Sequence, residues 1–135
     1  MQPLVPSAKL AARIQGWIDD MDTPDSLQNW PRRLCRRANA LVIAGTGAFL
    51  WALRPSGEML RLDTDDVRQS LEPETDSRYL YAVIASASER VYPELRELMP
   101  EPPPEVRRCP VCGGRDTPPR RSVDCLCCFG LGWCV

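Results

Sequence analysis

Histidine is absent from the chain. That absence excludes a Ser-His-Asp triad, a Cys-His nucleophile pair, a histidine-ligated metal and a finger built on two cysteines and two histidines. Lysine occurs once, at Lys9, so the basic residues are nearly all arginine, a composition that carries no functional weight. A long hydrophobic run is missing as well. The longest nearly uncharged apolar stretch, Ala40 to Leu53, falls short of the ~20 residues that span a bilayer and reads as buried core. Met1 to Met21 is interrupted by polar residues and lacks the apolar segment of a signal peptide. Charge of one sign is scarce too. Basic residues number 17 and acidic 18, for a net charge of -1, so no overall field draws in nucleic acid or an anionic membrane. The expectation is a cytoplasmic protein with no membrane partner.

What is present suits one ordinary domain with an appendage: 135 residues, 44% hydrophobic and 26% charged. The composition breaks at Pro100 to Pro104, Pro-Glu-Pro-Pro-Pro, where consecutive prolines stop a helix and favour a stiff extended connection. The expected organisation is a domain over 1–99, a proline-rich linker over 100–106 and a cysteine-rich module over 107–135. No repeat is visible.

The domain reads as α+β. Ser7 is a helix N-cap, and Leu10, Ile14, Trp17, Ile18 and Met21 follow on one helical face. Trp30-Pro31 opens a short second helix. Leu41 to Ala44, Ala48 to Arg54 and Glu58 to Asp63 read as three strands. Gly45-Thr46-Gly47 and Pro55-Ser56-Gly57 turn between them. Thr64, Asp65 and Asp66 cap a predicted short helix running through Leu71, and Glu72 to Asp76 reads as loop. Ser77 to Val91 fits both helix and strand, and its length favours helix. Pro93 starts a last turn or two carrying Leu95 and Leu98. The expected core is therefore a three-stranded antiparallel meander packed with about four helices.

The chemistry lies in the cysteines. There are 7, and six of them fall between Cys109 and Cys134. Cys109-Pro-Val-Cys112 and Cys125-Leu-Cys-Cys128 each put two thiolates in reach of one metal from a tight turn, and two such turns supply the closed tetrahedral set of structural zinc. Cys109, Cys112, Cys125 and Cys128 are the expected ligands. With few large aliphatics around them, metal binding would supply the tail's folding energy.

Cys125-Leu-Cys127-Cys128-Phe129-Gly130-Leu131-Gly132 resembles the Cys-x-x-Cys-x-Gly-x-Gly repeat of the DnaJ cysteine-rich zinc finger. In the first motif Gly114 matches the first glycine, and Asp116 stands where the second belongs. The resemblance covers about a fifth of the chain, with two motifs where that family has four. It implies one zinc and, weakly, a role in contacting other proteins. The His-Pro-Asp loop of a J-domain is absent, so chaperone activity is not implied.

Other readings stay open. Cys109-Pro-Val-Cys112 also resembles a redox dithiol, although no helix starts after it, so thiol oxidoreduction is a further alternative. Cys127 is a rival ligand through a shift in register, and Cys134 is a spare or a rival. Cys35, between Leu34 and Ala38, reads as a buried small hydrophobe. Arg107, Arg108, Arg115, Arg120 and Arg121 surround the cysteines, and Arg32, Arg33, Arg36 and Arg37 form a second cluster at helical spacing beside Trp30. Charge compensation and a solvated helix face account for them; contact with nucleic acid, with Trp30, Phe129 or Trp133 stacking on bases, is the sharper alternative. Gly45-Thr46-Gly47 lacks the rest of a phosphate loop, and Asp63, Asp65 and Asp66 lack the calcium-loop pattern. With no nucleophile beside a base, the expected function is a non-enzymatic zinc-binding module that contacts another protein.

Overall fold

The fold was analysed in a computed structural model, which describes residues 4–22, 29–46, 48–65, 70–111, 128 and 130–135. Helix α1 spans Ala8–Asp19. Ser7 caps it as the sequence predicts, its side chain accepting from the Leu10 amide. Ser7 is itself tied down: its amide and hydroxyl donate to the two carboxylate oxygens of Glu97 at 2.8 and 3.0 Å. Leu10, Ile14, Ile18 and Met21 are buried along one face. Helix α2 is Trp30–Arg37, with Pro31 in its first turn, where the missing amide hydrogen has no helical partner to lose. Asn39 follows α2 with φ 56°, a left-handed conformation that asparagine tolerates. Its side-chain amide exchanges two hydrogen bonds with that of Gln15 on α1.

The sheet has four strands in the order β1-β2-β3-β4: Leu41–Gly45, Phe49–Leu53, Met59–Asp63 and Leu71–Pro73. All neighbours are antiparallel. The first three strands match the predicted meander to within a residue or two. The fourth corrects it, because Leu71, Glu72 and Pro73 pair with Leu62, Arg61 and Leu60, where the sequence suggests the end of a helix and a loop. The physical reason is positional. β4 is an edge strand, where proline needs no amide hydrogen and a charged residue is at home, so it lacks the branched and aromatic residues that mark a central strand. Most of the helix expected between Thr64 and Leu71 lies outside the described residues; Thr64 and Asp65 form a turn.

The register of β1 on β2 slips between Val42 and Ala44, leaving Ile43 as the extra residue of a bulge. Alternation then divides the sheet. Val42, Ala52 and Leu60 lie on a face covered by Cys35 of α2. Leu41, Trp51, Leu53 and Met59 pack on α1 and on helix α3, Ser77–Arg90. α3 resolves the ambiguous stretch as helix and is buried over most of its length. Asp76 caps it, accepting from the Arg78 amide at 2.9 Å. Glu74 is buried beneath the sheet edge, yet it is satisfied: it accepts from the Trp51 indole at 2.9 Å and from the Asp76 amide at 3.2 Å. A 3₁₀ helix, Pro93–Leu98, closes this layer with Leu95 and Leu98 inside.

Beyond the proline run, β5 (Arg107–Arg108) pairs antiparallel with β6 (Trp133–Cys134). The α+β class therefore holds, whereas a complete zinc ribbon is not among the described residues, which contain only this two-stranded pair and the turn residues 128 and 130–132. Val106 and Leu131 join the main hydrophobic core, and Trp133 packs against it. No described helix is long and apolar enough to cross a membrane.

Candidate metal centre

Each cysteine pair contributes one described member. Cys109 follows β5, and its amide donates to the Gly132 carbonyl at 3.0 Å. Cys128 opens the return turn, where its carbonyl accepts from the Leu131 amide at 3.1 Å. Gly130 and Gly132 take φ of 101° and 82°, left-handed values that a side chain would strain, which is why glycines stand at these spacings. The result is that Cys109 and Cys128 meet in one buried cluster, and Cys134 joins them from β6. Cys112, Cys125 and Cys127 lie outside the described residues. Among the described residues no group of three or more His, Cys, Asp or Glu side chains is arranged to hold a metal ion. Two of the four expected ligands, Cys109 and Cys128, are in the described set.

The cluster is fixed to the α+β layer by several contacts with α3. Arg90 donates through Nη1 to the Gly130 carbonyl. Arg108 pairs with Glu89 at 2.7 Å, and its guanidinium sits 5.1 Å from the centre of the Trp133 ring. The same ring meets Tyr81 edge-on at 5.4 Å. Trp133 is thus held between an arginine and a tyrosine, and its indole nitrogen is buried without an acceptor.

The other sequence candidates are dispersed. In α2, Arg32 donates to the Asp22 carbonyl at 3.3 Å, and Arg36 donates to the carbonyls of Met21 and Asp19 at 2.9 and 3.1 Å. These two arginines close the C-terminal end of α1, where cations also suit the helix dipole. Arg37 is exposed at the end of α2, and Arg107 is exposed on β5. Cys35 of α2 packs against the face of Ala52 and Leu60, whereas Leu131 joins the core on the face of Trp51 and Met59. Arg115, Arg120, Arg121 and Phe129 lie outside the described residues. Cys35 is fully buried, and burial pushes its thiol up to about 11, with nearby Arg32 acting weakly the other way.

Of two further residues, the sequence names Cys134 only as a spare or rival ligand and offers no reading of Arg90. Cys134 belongs to no Cys-x-x-Cys pair; only the β5–β6 pairing brings it to Cys109 and Cys128. Arg90 is one arginine among many at the end of a helix, with no sequence signal to single it out. Fold and site together define an α+β protein with a cysteine-rich C-terminal arm docked on its last long helix. Comparison with family models, curated proteins and solved structures finds no match for this chain.

Proposed function

We propose that this chain is a non-enzymatic zinc-binding protein that serves as a protein-interaction or adaptor module. The observation that carries the reading is the meeting of Cys109 and Cys128, one thiol from each Cys-x-x-Cys motif, in a single buried cluster. Buried thiols, one of them set on a turn that Gly130 and Gly132 permit, suit a soft cation. Cys109 and Cys128 would bind it with Cys112 and Cys125, and the metal would act as a structural cross-link of the tail. The resemblance to the DnaJ finger supports the role in contacting other proteins, and a cytoplasmic setting suits reduced thiols.

Elemental analysis of protein purified without added metal tests this. The expected result is one zinc per chain, lost in Cys112→Ser and kept in Cys35→Ser. Absence of zinc, or two zincs per chain, overturns it. The nucleic-acid alternative is weakened by the use of Arg32 and Arg36 on the end of α1 and of Arg108 on Glu89. A gel shift that weakens steeply with salt would revive it.

A further inference from the structure

The pairing of β5 with β6 gives this ribbon two unlike faces. Opposite residues of a ladder share a face, and successive residues alternate between faces. Arg108 and Trp133 are opposite each other, and their face is turned to the α+β layer, where Trp133 packs on the main core. Arg107 is opposite Cys134, and the Cys109 amide bonds to the Gly132 carbonyl further along the same ladder. Cys109 and Cys134 therefore lie together on the other face. Cys134 is nonetheless buried, at 7% exposure. Among the described residues its partners in the buried cluster are Cys109 and Cys128, with no aliphatic side chain. Cys35 is the contrast: it clusters with Ala40, Ala52 and Leu60, as a cysteine serving as a small hydrophobe does.

The two Cys-x-x-Cys motifs already supply the four ligands of a closed zinc site. Among the described residues, Cys109, Cys128 and Cys134 included, no three side chains are arranged to hold a metal. Cys134 is thus a fifth thiol beside that site. Thiolates bound to zinc keep negative charge on sulfur, and hydrogen-bond donors around them orient and steady them. Two amides of this ribbon are engaged elsewhere: that of Cys109 on the Gly132 carbonyl and that of Leu131 on the Cys128 carbonyl. A thiol brings a donor of its own, its S–H. We propose, resting on the zinc reading above, that Cys134 is a positioning residue of the metal centre, its S–H donating to a ligand sulfur in the cluster of Cys109 and Cys128. The bond fixes that sulfur's orientation and takes up part of its charge, so the metal is held more tightly.

Metal binding by the full chain tests this in the parent and in two variants. Cys134→Val fills the position and has no donor; Cys134→Ser keeps a donor in a smaller, more polar group. A packing role predicts that valine is tolerated and serine is not, and the hydrogen bond predicts the reverse. Zinc competition against a chromophoric chelator should give Cys134→Val a dissociation constant about ten-fold above the parent's and leave Cys134→Ser within about three-fold. With cobalt in place of zinc, loss of the donor should move the sulfur-to-cobalt charge-transfer band to lower energy in Cys134→Val, while Cys134→Ser keeps it near the parent's position. The ligand-field bands of a four-thiolate site should be unchanged in both variants. The proposal is overturned if Cys134→Val matches the parent in both readouts, or if Cys134→Ser falls as far as Cys134→Val. It is also overturned if either variant changes the ligand-field bands, which would make Cys134 a ligand. A parent that takes up neither metal overturns the zinc reading itself, and this proposal with it. A parent that binds one metal per chain beside an unaffected Cys134→Val overturns the hydrogen bond alone.

Discussion

Cys35 shows how one residue type takes opposite roles along the same chain. It sits on α2 under Ala52 and Leu60, fully enclosed, and desolvation holds its thiol neutral well above the ordinary range. Thiolate is the nucleophile, so iodoacetamide at about pH 8 should leave Cys35 unmodified in the folded protein and label it once denaturant opens the core. Labelling at the denatured rate in native buffer would contradict this burial. The sign of the pH effect follows from the same shift. The folded pKa of about 11 lies above the ordinary 9.0, so the neutral thiol favours the fold below that lower value. Its contribution is lost as pH climbs from the ordinary value through the folded one, and Cys35→Ala should flatten that part of the stability curve. Local chemistry made residues of this kind legible in the sequence: Ser7 as a cap and Cys35 as a small hydrophobe both follow from their neighbours. Arg90 was not legible, because what distinguishes it is its hydrogen bond to the Gly130 carbonyl, far from it in sequence.

At the scale of elements, the helices and the three longer strands announce themselves through periodicity, and the short edge strand β4 does not. α1 and the strands β1 to β3 carry enough apolar spacing to be placed from sequence. β4 has only Leu71 to bury, and its pairing is defined by Arg61 opposite Glu72 and by Leu60 opposite Pro73. α3 is the element on which the tail is docked, and Asp76 starts it. Asp76 accepts from the Arg78 amide and pairs with the Arg78 guanidinium at 2.8 Å; the side-chain hydrogen bond from Arg78 is the main reason its carboxyl is held below the usual range. Asp76→Ala should cost about 1 kcal/mol at neutral pH, the ordinary worth of an N-cap. A depressed carboxyl contributes above its ordinary value and loses that contribution as pH falls through the folded one, so the gap between parent and variant should narrow in acid. Thermal melts of the pair from neutral pH down to about pH 2.5 would measure it; a gap that stays constant would show that the charge of Asp76 does not matter to the cap.

At the scale of the whole molecule, the tail is held on the α+β layer by apolar and polar contacts together. Leu131 and Val106 enter the main core, Trp133 rests between Tyr81 and Arg108, and Arg90 and Glu89 reach across from α3. The composition break at the prolines made the tail legible as a distinct stretch, but spacing alone could not reveal this docking, which depends on a handful of apolar residues scattered among the cysteines. The consequence concerns metal loss. If zinc organises the turn at Cys128, a chelator should release more than the tail. Hydrogen exchange with and without chelator should lose protection over 107–135 and, to a lesser degree, in the second half of α3, where Glu89 and Arg90 anchor the tail. Strands β1 to β3 should keep theirs, because α1, the Ile14 and Trp51 core and the ladder between the strands make no use of Cys109, Cys128 or Cys134. Loss confined to 107–135 would mean that α3 is stable without its tail contacts. Loss throughout the sheet would mean that the cysteine cluster supports the whole fold, since chelation would then remove stability on the scale of the ~5–15 kcal/mol that holds an ordinary domain together.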